Sequence, residues 1–117
     1  MSAETLLYAA LSGAAGVTAL VSTRIYPNVR PQDSAVPCLV YDRSGTQVIQ
    51  SIGGAVLATV ASMDVTAISA TRAECESVAN AAQSALVTAG FGYLDRVAEY
   101  VPEADLFVST LLFSKPE

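Results

Sequence analysis

The chain has 117 residues, 52% of them hydrophobic and only 15% charged, with 11 acidic against 6 basic residues, a net charge of −5 and no histidine. The acidic balance and the scattered cations exclude a phosphate-gripping nucleic-acid binder, which needs a basic face to displace counterions. The missing imidazole removes the commonest general base, every Ser–His or Cys–His nucleophile pair, and the usual zinc ligand sets.

A chain of this length is read as one domain spanning 1–117. It is richer in apolar residues than a soluble domain of its size needs, and an oligomer interface is the natural place to hide the surplus.

Taken in chain order, Ser2 and Glu4 open a first helix, as N-cap and first-turn acid. Leu6, Leu7, Ala10, Leu11 and Ala14 give that helix one apolar face, and Gly13 and Gly16 interrupt it before a short turn over 17–21. The uncharged run from Thr5 to Thr23 has the length of a membrane span. It is diluted by Ser, Thr and Gly and preceded by Glu4, not by a basic segment. The expectation is a broken helix in a soluble, cytoplasmically made protein with no membrane partner.

Arg24-Ile25-Tyr26 reads as a short strand stopped by Pro27. Pro27, Pro31 and Pro37 stiffen the connector over 28–36, and Cys38 to Asp42 form a strand entered through Pro37. Ser44 to Gly54 is polar, with Val48, Ile49 and Ile52 set among Gln, Ser and Gly, and is read as either a hairpin tip or a mobile loop. Thr59 to Ile68 alternates cleanly: Ala61, Met63, Val65 and Ala67 point one way, Ser62, Asp64 and Thr66 the other.

Thr71-Arg72-Ala73-Glu74 is a capping box. It opens a helix whose stripe is Cys75, Val78, Ala79, Ala82, Leu86 and Ala89, closed by Gly90. Tyr93 to Val101 and Leu106 to Ser114 are strands joined by a turn over 102–105. The expected fold is α+β: a four- to five-stranded mixed or antiparallel sheet with two main helices on one face.

No catalytic, cofactor or metal site emerges. Cys38 and Cys75 lie far apart in the sequence and are read as buried small hydrophobes. Glu74 and Glu76 diverge on their helix, and Glu99, Glu103 and Asp105 read as a solvated surface near a turn. Gly53-Gly54 is a turn signal, not a phosphate cradle.

The order and spacing of these segments resemble the tail-completion, or tail terminator, proteins of long-tailed bacteriophages. The residues that carry the resemblance are the helix Leu6–Leu11, Arg24-Ile25-Tyr26-Pro27, Pro31-Gln32, Pro37-Cys38-Leu39-Val40-Tyr41, the strand Val60–Ile68 and the capped helix Thr71–Ala89. It implies a non-enzymatic virion protein without cofactors, assembled in the host cytoplasm and placed at the head–tail junction. Its partners would be further copies of itself in a ring, usually of six, the major tail tube protein and the head–tail connector proteins. The ring would cap the head-proximal end of the tube and halt its polymerisation, and DNA would pass through the lumen without specific binding.

Within that frame Val48, Ile49, Gln50, Ser51 and Ile52 are the expected interface segment, for the tube or a neighbouring subunit. Asp64 and Glu99 are expected to face the lumen, where carboxylates repel DNA and let it slide; an ordinary solvent-exposed strand face is the competing reading. Alternatives for the whole chain are another phage neck or tail-tube protein, which would polymerise instead of closing as one ring, and a small-molecule-binding α+β module, which needs a pocket with convergent polar groups.

Overall fold

A computed structural model describes residues 3–28 and 35–116. Its elements in chain order are α1 (Ala3–Ser12), α2 (Ala15–Val21), β1 (Ile25–Pro27), β2 (Cys38–Gln50), β3 (Val56–Ser69), α3 (Arg72–Thr88), β4 (Gly92–Val101) and β5 (Leu106–Pro116). The five strands form one sheet in the order β1-β2-β3-β5-β4. β1 runs parallel to β2 and all other pairs are antiparallel, so the sheet is mixed and the α+β expectation holds. Ser2 and most of the proline connector lie outside the described residues.

α1 and α2 meet at 78°, with Gly13 and Ala14 at the break. Among the described residues no single helix is long and apolar enough to cross a membrane. The apolar run points into the protein: Leu7, Leu11, Val17 and Val21 are all buried in the core. Among the described residues the two main helices expected, α1 and α3, and the short α2, where a helical turn over 17–21 was read, cover a single face of the sheet.

α3 forms for the reasons its sequence gives. Thr71 is the N-cap, and its hydroxyl oxygen accepts from the Glu74 N–H at 3.3 Å. The return bond of the capping box is not made, because the Glu74 carboxylate accepts instead from the hydroxyl of Ser69, buried at the end of β3. That bond ties the helix start to the sheet. At the far end Gly90 has φ +98°, its N–H reaches Val87 O and the Phe91 N–H reaches Leu86 O, which together make a Schellman motif. Phe91 is thereby tucked into the core, edge-on to Phe113 at 6.4 Å. Cys75, Val78, Ala79, Ala82 and Leu86 of the predicted stripe are buried, whereas Ala89, the C-cap, is exposed.

Beneath the helices lie Leu39 of β2, Ala61, Met63, Val65 and Ala67 of β3, and Leu111 and Phe113 of β5. Full burial of each large side chain contributes about 1.5–3 kcal/mol. The other sheet face has no element over it among the described residues.

β2 and β3 are longer than the sequence pattern implied. β1 pairs with β2 only from Leu39 to Tyr41, and β5 leaves β3 at Val60. From Gly45 to Gln47 β2 is the open edge of a sheet that still includes β5, and beyond Val60 β2 and β3 continue as a two-stranded arm, paired from Val48↔Thr59 to Gln50↔Val56. The Ser44–Gly54 segment is therefore a strand and a turn, which decides between the two readings of that stretch. The radius of gyration, 15.1 Å, exceeds the roughly 13.4 Å of a compact chain of this length, as a projecting arm requires.

Candidate assembly surfaces

The arm is held by its own backbone. Its turn is closed by the Ser51 N–H on Ala55 O at 2.8 Å and the Gly54 N–H on Ser51 O at 3.0 Å, and the Ser51 hydroxyl accepts from the Ala55 N–H at 3.1 Å. Gly54 sits at φ +85°, a conformation that a side chain would strain. At the root, Arg43 donates to Glu4 of α1 at 3.0 Å and to the Thr46 hydroxyl at 2.8 Å, which anchors the arm to the helical layer. Of the five residues expected at an interface, Val48, Ile49 and Gln50 end β2 while Ser51 and Ile52 enter the turn. Val48 and Ile49 are about half exposed and Ile52 is fully exposed at the tip. Val56, across the turn, joins them at 61% exposure; a lone valine after a glycine pair gave no sequence signal of this.

A second exposed apolar strip runs along β4, the edge strand: Tyr93, Leu94, Val97 and Tyr100. Among the described residues, every exposed large hydrophobic except Tyr8 and Val87 belongs to the arm or to β4.

The strands sort their charges by face. Asp64 of β3 lies directly opposite Asp42 of β2, and Leu112 of β5 stands between Asp64 and Asp95 of β4. Glu99 of β4 opposes Val108, which in turn opposes Ile68. All four carboxylates project from the uncovered face. The strand cations project the other way: Arg43 to Glu4 of α1, Arg96 to Gln83 of α3 at 2.6 Å, and Lys115 over the Phe91 ring at 5.4 Å. Asp64 and Glu99, both expected on one surface, do share this face, but β5 separates them. Asp42 and Asp95 are the acidic residues that sequence reasoning missed there.

Like charges directly across a strand pair are unfavourable. One oxygen of Asp64, Oδ1, is buried without a hydrogen-bond partner among the described residues. The uncovered face therefore keeps an arrangement that the isolated subunit does not reward.

The rest of the surface has little chemistry. A shallow trough of about 550 Å³ between α1, α2 and α3 is walled by Ala, Gly, Val, Ser and Thr, with no titratable group. A cleft of about 130 Å³ between α3 and β4–β5 contains Cys75 and Ser109 behind Arg72 and Arg96. Burial, then the nearby Glu76 carboxylate, pushes the Cys75 thiol above its ordinary value, and its sulfur donates to Ala67 O, so it is a poor nucleophile. Cys38 and Cys75 are both free and buried. Asp105 accepts from the Tyr100 hydroxyl at 2.6 Å, and no group of three acidic or Cys residues converges on a metal position among the described residues.

An arm, an apolar edge strand and a one-sided acidic sheet describe a protein built for contacts with other chains. No curated protein matches the chain by sequence. A chain in the structure of the virion of a native gene transfer agent (GTA) particle shares the fold, with a TM-score of 0.84 and 24% identity over 98% of this chain and 93% of that one. The family described as tail completion protein gp17 matches residues 5–114, from the first turn of α1 to near the end of β5. The chain belongs to the tail completion protein gp17 family, structural proteins of phage tails.

Proposed function

We propose that copies of this chain close into a ring, of six in the family's usual form, at the head–tail junction of the virion. The ring caps the head-proximal end of the tail tube, halts tube polymerisation and offers a seat to the head–tail connector proteins. Val48–Ile52 are its docking segment on the tube or a neighbouring subunit. Asp64 and Glu99, with Asp42 and Asp95, line the lumen.

The observation that carries this reading is the segregation of charge across the sheet. A channel for DNA has to repel phosphates evenly, and a wall bearing carboxylates but no cation does so. Cations on that wall would hold the strand by counterion release.

The experiment combines Asp42→Lys and Asp64→Lys in assembling particles. The expected result is tails of normal length, seen by electron microscopy, with slowed DNA passage and reduced infectivity. DNA delivery at the unaltered rate sinks the lumen assignment. Purified chain that polymerises into tubes, instead of closing once at the tube end, overturns the terminator role in favour of a tail-tube protein.

A further inference from the structure

We propose that neighbouring copies join edge to edge, the outer edge of the arm strand, Ser44–Gln50, adding to the outer edge of β4, Gly92–Val101, in the next copy. This rests on the ring reading and specifies the contact that builds the ring.

The sheet ends differently on its two sides. On one side β1 covers β2 only as far as Tyr41, and among the described residues nothing pairs with the outer edge of β2 from Ser44 onward. On the other side β4 is the terminal strand for all of its 10 residues. An unpaired strand edge is a template for another chain, and native proteins blunt such edges with charges, prolines or bulges. The arm carries no charge and no proline from Ser44 through Thr59. Its two bulges, between Arg43 and Gly45 and between Ile49 and Gln50, fall at its ends and leave Gly45–Ile49 as an uninterrupted, uncharged edge open to another strand.

The occupant is a second copy because the chain supplies both halves. The exposed apolar side chains divide between these same two edges, with Val48, Ile49, Ile52 and Val56 on the arm and Tyr93, Leu94, Val97 and Tyr100 on β4. The edges face opposite ways, so joining them is head-to-tail, and a heterologous contact of that kind generates a ring when its rotation closes. Main-chain hydrogen bonds supply the affinity, as in other strand additions.

Charge selects this pairing over the twofold alternative. Two β4 edges brought together would set Asp95 and Glu99 of both copies on one face of the joined strands, where facing like charges are unfavourable. The uncharged arm lies beside those carboxylates without that penalty. A sheet that continues from copy to copy also keeps every acidic face on the same side, so one wall lines the whole ring.

The test uses thiol pairs in tails assembled with the variant chain and then oxidised. Ile49 projects to the uncovered face, as do Asp95, Val97 and Glu99. The native cysteines are buried and stay out of the reaction. I49C combined in one chain with D95C, V97C or E99C is expected to give, for at least one partner, a ladder of covalent multimers on a non-reducing gel. I49C alone and the opposite-face pair V48C with V97C stay monomeric. Homodimers from I49C alone overturn the proposal in favour of a twofold arm–arm contact. Rings visible by electron microscopy with no ladder from any pair overturn the edge pairing and leave the ring standing. Absence of both rings and ladders removes the ring reading and this inference together.

Discussion

The two halves of the β2–β3 hairpin use the same backbone ladder for different ends. The proximal half, from Cys38 to Arg43 against Met63 to Ile68, is paired on both outer edges for part of its length and roofed by helices, and its inward Leu39, Met63, Val65 and Ala67 are inaccessible. The distal half, the arm, has one partner strand, no roof, and side chains exposed on both faces. The proximal half is held by burial and the distal half by backbone bonds and a tight turn. An isolated two-stranded ribbon is marginal in water, so the arm persists because its root is clamped. Stability and assembly are thus separated along one pair of strands.

Three variants break or sharpen that separation. The largest effect belongs under the roof. Phe113→Ala removes a fully buried ring that Phe91 and Tyr93 pack against, and should cost about 3–5 kcal/mol in denaturant unfolding. A loss below about 1 kcal/mol would mean that the core does not carry the fold. A middle effect belongs to the start of α3. Thr71→Ala deletes the N-cap of α3 and should cost about 1 kcal/mol, read from the same unfolding curves. The smallest effect on stability belongs to the arm. Val48→Ser with Ile49→Ser should shift unfolding by no more than about 0.5 kcal/mol per site while abolishing normal tail assembly, scored by electron microscopy of particles. If instead the double variant unfolded with a core-sized loss and assembled normally, the division between the two halves would collapse.

What could be read in advance follows the same division. α3 was legible almost to the residue, because a capping threonine, a 3,4-spaced stripe and a terminal glycine are local signals that tertiary contact reinforced. The destination of the Glu74 carboxylate was misread, since Ser69 competes for it from β3, and Ala89 of the expected stripe lies exposed at the helix end. β3 was legible because one face is buried and the other is not, which imprints an alternation of period two. The arm was not legible as strand: with neither face buried, nothing imposes alternation on Val48, Ile49 and Gln50. The acidic face was half legible. Asp64 falls on it by parity within β3, whereas Asp42 joins it through the register of two strands. The register shift between Tyr93 and Asp95 throws those two residues to opposite faces where simple alternation would have kept them together.

The amino-acid order alone determined the element types outside the arm, the helix ends, the buried stripe and the absence of imidazole chemistry, all properties set within a few residues or by composition. Tertiary structure alone decided which strands neighbour one another, how far the arm outruns the sheet, which edges stay open, and that carboxylates and cations part to opposite faces. These depend on pairing register and on bulges between segments distant in the chain, and register is chosen by the collective burial of the core, which no single stretch encodes.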